Sequence, residues 1–365
     1  MAGASQGIHG PGRTFGNQPM TKHAVTVRGL VRADDLGTTL PHEHLLCDLV
    51  CRYHAAADEQ SLGKQPQLRD RWRLLRQPAG YRVNLDGTSV ESAIDEAALF
   101  RQSGGATIVD LTPLGLSPNA RGLRQIAEVT ELNVIASTGY YVDASLPDWV
   151  RTASIEQLAD RLIGDVLTGG SEGIRRGAIG EIGIEGPTEL ELRCVRAAGR
   201  AQARTGAPVF LHVISGIFAQ YRDSTEEIIR LYASEGGDLR RLVLCHQDGS
   251  GDDQAYQERV LKRGIWMEYD TFGSEGVFAF GDTYIQLPTD TQRIREVAAL
   301  VKAGLGSRLL LSQDICYQSA KCSWGGWGFI HLMESLKPRF VAAGVSQQEF
   351  QSLMRDNPRE VFAFA

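Results

Sequence analysis

From residue 36 onward, short apolar β-branched runs alternate with longer segments whose apolar residues recur every three or four positions, and this alternation constrains the fold most. The apolar runs are Leu36–Leu40, Ala106–Leu111, Asn133–Thr138, Ala178–Ile182, Pro208–His212, Leu242–His246, Ile265–Asp270 and Leu309–Asp314. Between them the spacing predicts helices over 90–102, 119–131, 154–167, 189–204, 224–235, 253–263 and 290–303, with Gly206 and Gly264 as stops. Further helical stretches begin near Phe329 and Ser346. Such alternation calls for a parallel sheet with helices outside. Eight units in 365 residues predict an α/β fold closed as a (β/α)8 TIM barrel. An open doubly wound sheet is the alternative, but no Gly-x-Gly-x-x-Gly follows the first strand.

Two segments stand outside the alternation. Residues 1–22 are rich in Gly, Ser, Pro and Gln without an apolar stretch, and read as a disordered leader rather than a signal peptide. Residues 23–365 read as one catalytic domain. After the first strand, residues 48–87 lack periodicity and are too long for an idle connection, which predicts a functional excursion or a small helical lid. Its Arg69, Arg71 and Arg73 read as a solvated helix face rather than a site for an anionic substrate.

A net charge of -6 excludes the basic footprint of a nucleic-acid binder. The sequence lacks an apolar run of about 18 residues, so no membrane span is expected. Six cysteines without a Cys-x-x-Cys pair do not form a disulfide scaffold and suggest a reduced, cytoplasmic setting. Cys47 and Cys51 read as small buried hydrophobes. A small-molecule substrate is the expected partner.

Chemistry concentrates where the apolar runs end. In Pro41-His42-Glu43-His44, residues two apart share a strand face, so His42 and His44 point together and Glu43 points away. Reactive groups of such barrels sit at the carboxyl ends of the strands. That rule adds Glu181, His212, His246 and Asp314, while His9, His23, His54 and His331 read as surface or packing residues. Four imidazoles and two carboxylates suffice for two divalent cations: His42, His44 and Asp314 around one, His212 and His246 around the other, Glu181 between them. Zinc suits this donor set, with Mn, Co or Fe as alternatives. A hydroxide shared by the cations would attack a carbonyl carbon, and Asp314 would take its proton and pass it to the leaving group. Tyr140, Tyr141, Phe272, Trp324 and Trp327 fall in loops after strands and are the candidate substrate contacts.

Several of these stretches share one likeness. Gly29 through His44, then Ile179–Gly183, Pro208–His212, Leu242–His246, Leu311–Asp314 and Met354–Pro358, resemble the phosphotriesterase family of the amidohydrolase superfamily in order and spacing. The resemblance covers roughly residues 25–365 and implies a (β/α)8 barrel, a binuclear metal centre, hydrolytic chemistry and a homodimer. Organophosphate-hydrolysing members bridge their metals with a carboxylated lysine, but residues 171–206 contain no lysine. Glu181 stands in its place, as in the phosphotriesterase homology or phosphotriesterase-related branch, with Glu185 as the other candidate. Thr271 follows Asp270 where organophosphatases carry a histidine on the seventh strand, which argues against phosphotriesters as the native substrate. The lactonases' pocket tyrosine aligns with Asp143, just after Tyr140 and Tyr141. The expected reaction is hydrolysis of a carboxylic ester or lactone, with an N-acyl amide second and promiscuous phosphotriester cleavage or a non-catalytic binding role behind them.

Overall fold

A computed structural model describes residues 22–62, 66–280 and 283–365. The leader lies outside the described residues, save Lys22. Eight strands form one sheet: β1 (Thr39–Glu43), β2 (Thr107–Asp110), β3 (Asn133–Tyr140), β4 (Ala178–Ile184), β5 (Val209–Val213), β6 (Leu242–Leu244), β7 (Trp266–Tyr269) and β8 (Leu309–Leu311). Neighbours in sequence are neighbours in the sheet, and every ladder is parallel. Helices α1 (Val90–Gln102), α2 (Ala120–Thr130), α3 (Ile155–Leu167), α4 (Glu189–Thr205), α5 (Arg222–Ser234), α6 (Gln254–Lys262) and α7 (Asp290–Lys302) alternate with them. The result is the (β/α)8 barrel. Local signals set the helix ends: Ser154 and Thr188 form capping boxes with Gln157 and Glu191, and Gly206 closes α4 in the left-handed region.

The seam between β1 and β8 is sealed by the glutamate of the His-Glu-His run. Glu43 Oε1 accepts from Ser312 Oγ at 2.8 Å and Gln313 N at 2.9 Å, and Oε2 accepts from Ile315 N at 2.9 Å. Burial pushes its carboxyl up to about 8, against the pull of those hydrogen bonds. Asn357, in the tail after Asp356, anchors the base of β8 by donating to the Gly306 and Leu309 carbonyls at 2.8 and 2.7 Å.

Several expected boundaries move. The first strand begins at Thr39 rather than Leu36, because the chain turns at Gly37, whose φ is +64° and where a Cβ would meet Ala106 Cβ at 2.6 Å. Pro41 sits inside β1 beside a register irregularity between Leu40 and Glu43, where its missing N–H breaks no regular ladder. β3 runs two residues past its expected end, to Tyr140. The described residues of 48–62 and 66–87 form short helical pieces, the longest among them Arg71–Arg76, tied at the base by Cys47–Asp48 pairing with Asp86–Gly87. An antiparallel ribbon, Gly276–Phe280 with Thr283–Leu287, fills the β7–α7 connection where the sequence suggested no element. Among the described residues no helix is long and apolar enough to cross a membrane.

Candidate metal centre and active site

The six polar residues read from the strand ends meet at one rim. Glu181 Oε1 lies 3.0 Å from His212 Nδ1, 3.3 Å from His246 Nε2 and 3.4 Å from His42 Nε2. Its Oε2 lies 3.6 Å from His44 Nε2. Asp314 Oδ1 is 3.2 Å from His44 Nε2 and 3.9 Å from His42 Nε2, while His246 Nε2 and His212 Nδ1 are 2.8 Å apart. Glu181 thus stands between a His42, His44, Asp314 group and a His212, His246 pair. His246 and Asp314 follow β6 and β8 with φ of 57° and 47°. A non-glycine residue held there costs on the order of 1–3 kcal/mol, which is tolerated where surrounding structure demands it.

Each inward ring nitrogen has an outward counterpart held by the barrel. His42 Nδ1 lies 2.9 Å from Glu268 Oε2, His44 Nδ1 lies 3.0 Å from Thr112 Oγ1, and His246 Nδ1 lies 3.0 Å from Asp270 Oδ1. Asp270 Oδ2 also accepts the His246 backbone N–H at 2.8 Å. A neutral imidazole donates through one nitrogen and offers a lone pair at the other, so these acceptors aim three Nε2 atoms at the centre. His212 is turned the other way, with Nδ1 inward and Nε2 3.7 Å from Glu185 Oε1.

Charge and burial fit the donor set to cations. His42 is fully buried and its Nε2 has no hydrogen-bond partner. Burial alone would depress its basicity, yet the charges of Glu268 and Glu181 outweigh that and hold the imidazole well above its ordinary range. The same contest, with Asp270 and Asp314 prevailing over burial, raises His246 and His44. Burial pushes the Asp314 carboxyl up, but its hydrogen bond to His44 and the neighbouring imidazoles hold it down. The enclosed rim therefore attracts positive charge. Four imidazoles and two carboxylates are a donor set that fits divalent cations, with His42, His44 and Asp314 as one candidate group and His42, Glu181 and His246 as another, and with His212 2.8 Å from His246 beside them.

The expected aromatic contacts divide. Tyr141 is at the site: its ring packs edge-on to His212 with centroids 5.2 Å apart, and its hydroxyl accepts from Arg52 Nη2 at 2.7 Å. Trp324 and Trp327 occupy the loop after β8, half-buried, and Trp327 packs so closely on Gly273 that a Cβ there would meet it at 2.5 Å. Tyr140 and Phe272 are corrections. Tyr140 is still in β3 and faces α3, where its hydroxyl donates to the Leu158 carbonyl at 3.0 Å. Phe272 is fully buried between Arg293, 5.9 Å above its ring, and Phe340. Thr271 accepts from Arg293 Nη2 at 2.7 Å and Asp248 accepts from Arg293 Nε at 2.9 Å, so strand seven ends in a buried ion-pair network.

Sequence reasoning missed Thr112, Glu268, Asp270 and Arg52. The spacing of Glu268 and Asp270 carried a signal, since two acids two apart at the end of a strand share a face exactly as the two histidines of β1 do.

Fold and site together define a barrel hydrolase with candidate cation-ligand clusters at its carboxyl rim. Within that class, residues 22–362 match the Phosphotriesterase family, and the chain belongs to it. A phosphotriesterase-related protein from Nematostella vectensis is 33% identical over 350 residues, spanning 93% of this chain and 98% of that protein. An N-acetyltaurine hydrolase from Danio rerio is 31% identical over 344 residues, spanning 93% and 97%. The structure of a resiniferatoxin-binding protein from Rhodobacter sphaeroides superposes with a TM-score of 0.88 at 32% identity, covering 93% of this chain and 95% of that one. The chain is a hydrolytic enzyme.

Proposed function

We propose that the enzyme uses two divalent cations, zinc first among them, to hydrolyse the acyl–nitrogen bond of a small N-acylated acid. The observation that carries cation-dependent hydrolysis is the rim cluster, above all the buried, unpartnered Nε2 of His42 beside Glu181. The choice of an amide rests on the relatives named for N-acetyltaurine hydrolysis, which match this chain over nearly their whole length. Held by His42, His44, Asp314, His212, His246 and Glu181, such cations would supply Lewis-acid polarisation of the carbonyl and a water acidic enough to react at neutral pH.

The chain's own groups supply the rest. Asp314 belongs to the cluster and its side chain is 20% exposed, so it touches both the buried donors and the mouth. It takes the proton from the attacking water at its carboxylate and returns it to the departing nitrogen, which leaves only when protonated. Glu268, Thr112 and Asp270 keep the imidazoles in register. An ester or lactone substrate would use the same groups and differ in the leaving atom. We place the enzyme in the reduced cytoplasm, consistent with six free thiols, acting on small molecules as a homodimer.

A panel of N-acetyltaurine, N-acyl amino acids, lactones, aryl esters and paraoxon, run on zinc-loaded enzyme before and after chelation, tests the proposal. The N-acyl compounds should be turned over most efficiently, and chelation should abolish turnover until zinc is returned. Turnover of lactones alone would reassign the bond, and activity indifferent to chelation would remove the cations from the reaction.

A further inference from the structure

His212 differs from the other three imidazoles in what steadies it. The others lean on acceptors from β7 or the end of β2, inside the barrel wall. The Nε2 of His212 faces Glu185, just past β4, whose Oε1 lies 3.7 Å away. Glu185 is itself clamped by the excursion. Arg52 Nη1 donates to its Oε2 at 2.7 Å, and Arg52 Nη2 lies 2.6 Å from Oε1. Arg52 Nη2 also donates to the Tyr141 hydroxyl, its guanidinium lies 4.9 Å over the Tyr141 ring, and that ring packs on His212. His212, Glu185, Arg52 and Tyr141 therefore close a four-membered ring of contacts drawn from four separate segments.

We propose that Glu185 is a positioning residue for His212, held in place by Arg52, so that the excursion after β1 governs how tightly the cation of His212 and His246 is bound. This rests on the two-cation reading above. Carboxylates that accept the outer N–H of a ligating imidazole fix its tautomer and its aim, and removing one weakens metal binding about 10–100-fold. Arg52 is poorly placed to read a substrate anion. Both terminal nitrogens are engaged, and a fork-to-fork pair with Glu185 offsets its charge.

Zinc stoichiometry and chelator competition on the full chain test the proposal in Glu185→Ala, Glu185→Gln and Arg52→Ala. Wild type should bind two ions. Both alanine variants should hold the first unchanged and bind the second about 10–100-fold more weakly. Glu185→Gln, which keeps an oxygen facing the imidazole Nε2 but loses the charge, should fall between, and excess zinc should restore kcat in Glu185→Ala at nearly constant KM. A merely structural role would lower melting temperature without singling out one ion. Unchanged second-ion affinity in Glu185→Ala would overturn the inference, as would an Arg52→Ala variant whose KM alone rises. If Arg52→Ala does not fold, Glu185→Ala decides, because that side chain is 35% exposed. Wild type holding fewer than two ions would bring down the two-cation reading together with this one, whereas two ions held equally by every variant would sink this inference alone.

Discussion

The floor and the rim of the barrel are built from the same strand faces and filled with opposite chemistry. On β5, Phe210 and His212 are two apart; along β7 and just past its end, Trp266, Glu268 and Asp270 follow at the same interval; beyond Leu310 of β8 come Ser312 and Asp314. The lower members are apolar and fully or almost fully buried, packed with Val109, Ile135 and Val243 and plugged by Phe362, which stacks on Phe210 at 5.8 Å. The upper members are polar: Glu268, Asp270 and Ser312 are as buried as the floor, while His212 and Asp314 are partly exposed. Burial stabilises in the first case and is costly in the second, because an enclosed charge needs partners that replace water. The floor holds the fold together; the rim uses that stability to keep donors dry and aimed.

The division predicts that lesions separate by layer. The largest effect belongs to Asp314→Asn, which preserves a coordinating oxygen and removes the base: kcat should fall about 10²–10⁴-fold while zinc content stays near wild type. Steady-state rates beside elemental analysis check it, and unchanged turnover would take Asp314 out of the chemistry. Next comes Phe210→Ala on the floor, expected to cost about 3–5 kcal/mol in urea titration, with folded molecules keeping their zinc and their kcat. A floor lesion that emptied the rim would show that the layers are not separable. Glu268→Gln, which weakens the acceptor behind His42, should loosen zinc about 10–100-fold with a smaller loss of stability than Phe210→Ala.

Much of this division was legible before any coordinates. The alternation of periods gave the barrel, and six donors closing apolar runs gave the rim, because side-chain parity and strand ends are local properties of the chain. Three things were not local. The excursion has no period of its own, so nothing marked Arg52 as the residue that reaches Glu185 across 133 positions. The acids of β7 were visible as a pair, but their partners, His42 and His246, lie on other strands. The end of β3 is a third case: burial continues through Gly139 and Tyr140, where the weakly apolar residues look like the start of a loop.

The smallest effect belongs to Tyr140, at the boundary between wall and pocket. If Tyr140 lined the pocket, removing its hydroxyl would change KM. The hydroxyl instead donates to the Leu158 carbonyl at 3.0 Å, and the ring sits beside Trp149 at 6.4 Å, on the helix side of β3. Tyr140→Phe removes one neutral hydrogen bond and leaves the Leu158 carbonyl with its helical role, so stability should drop by about 0.5–1.5 kcal/mol. KM and zinc affinity should not move. Tyr141→Phe, one residue on, loses the hydrogen bond from Arg52 and should disturb zinc binding at the His212 side with little effect on stability. The two phenols differ by a single step along the chain, and the alternation of a strand sends one to the wall and the other to the site. Equal effects from the two substitutions would mean that β3 ends before Tyr140 after all.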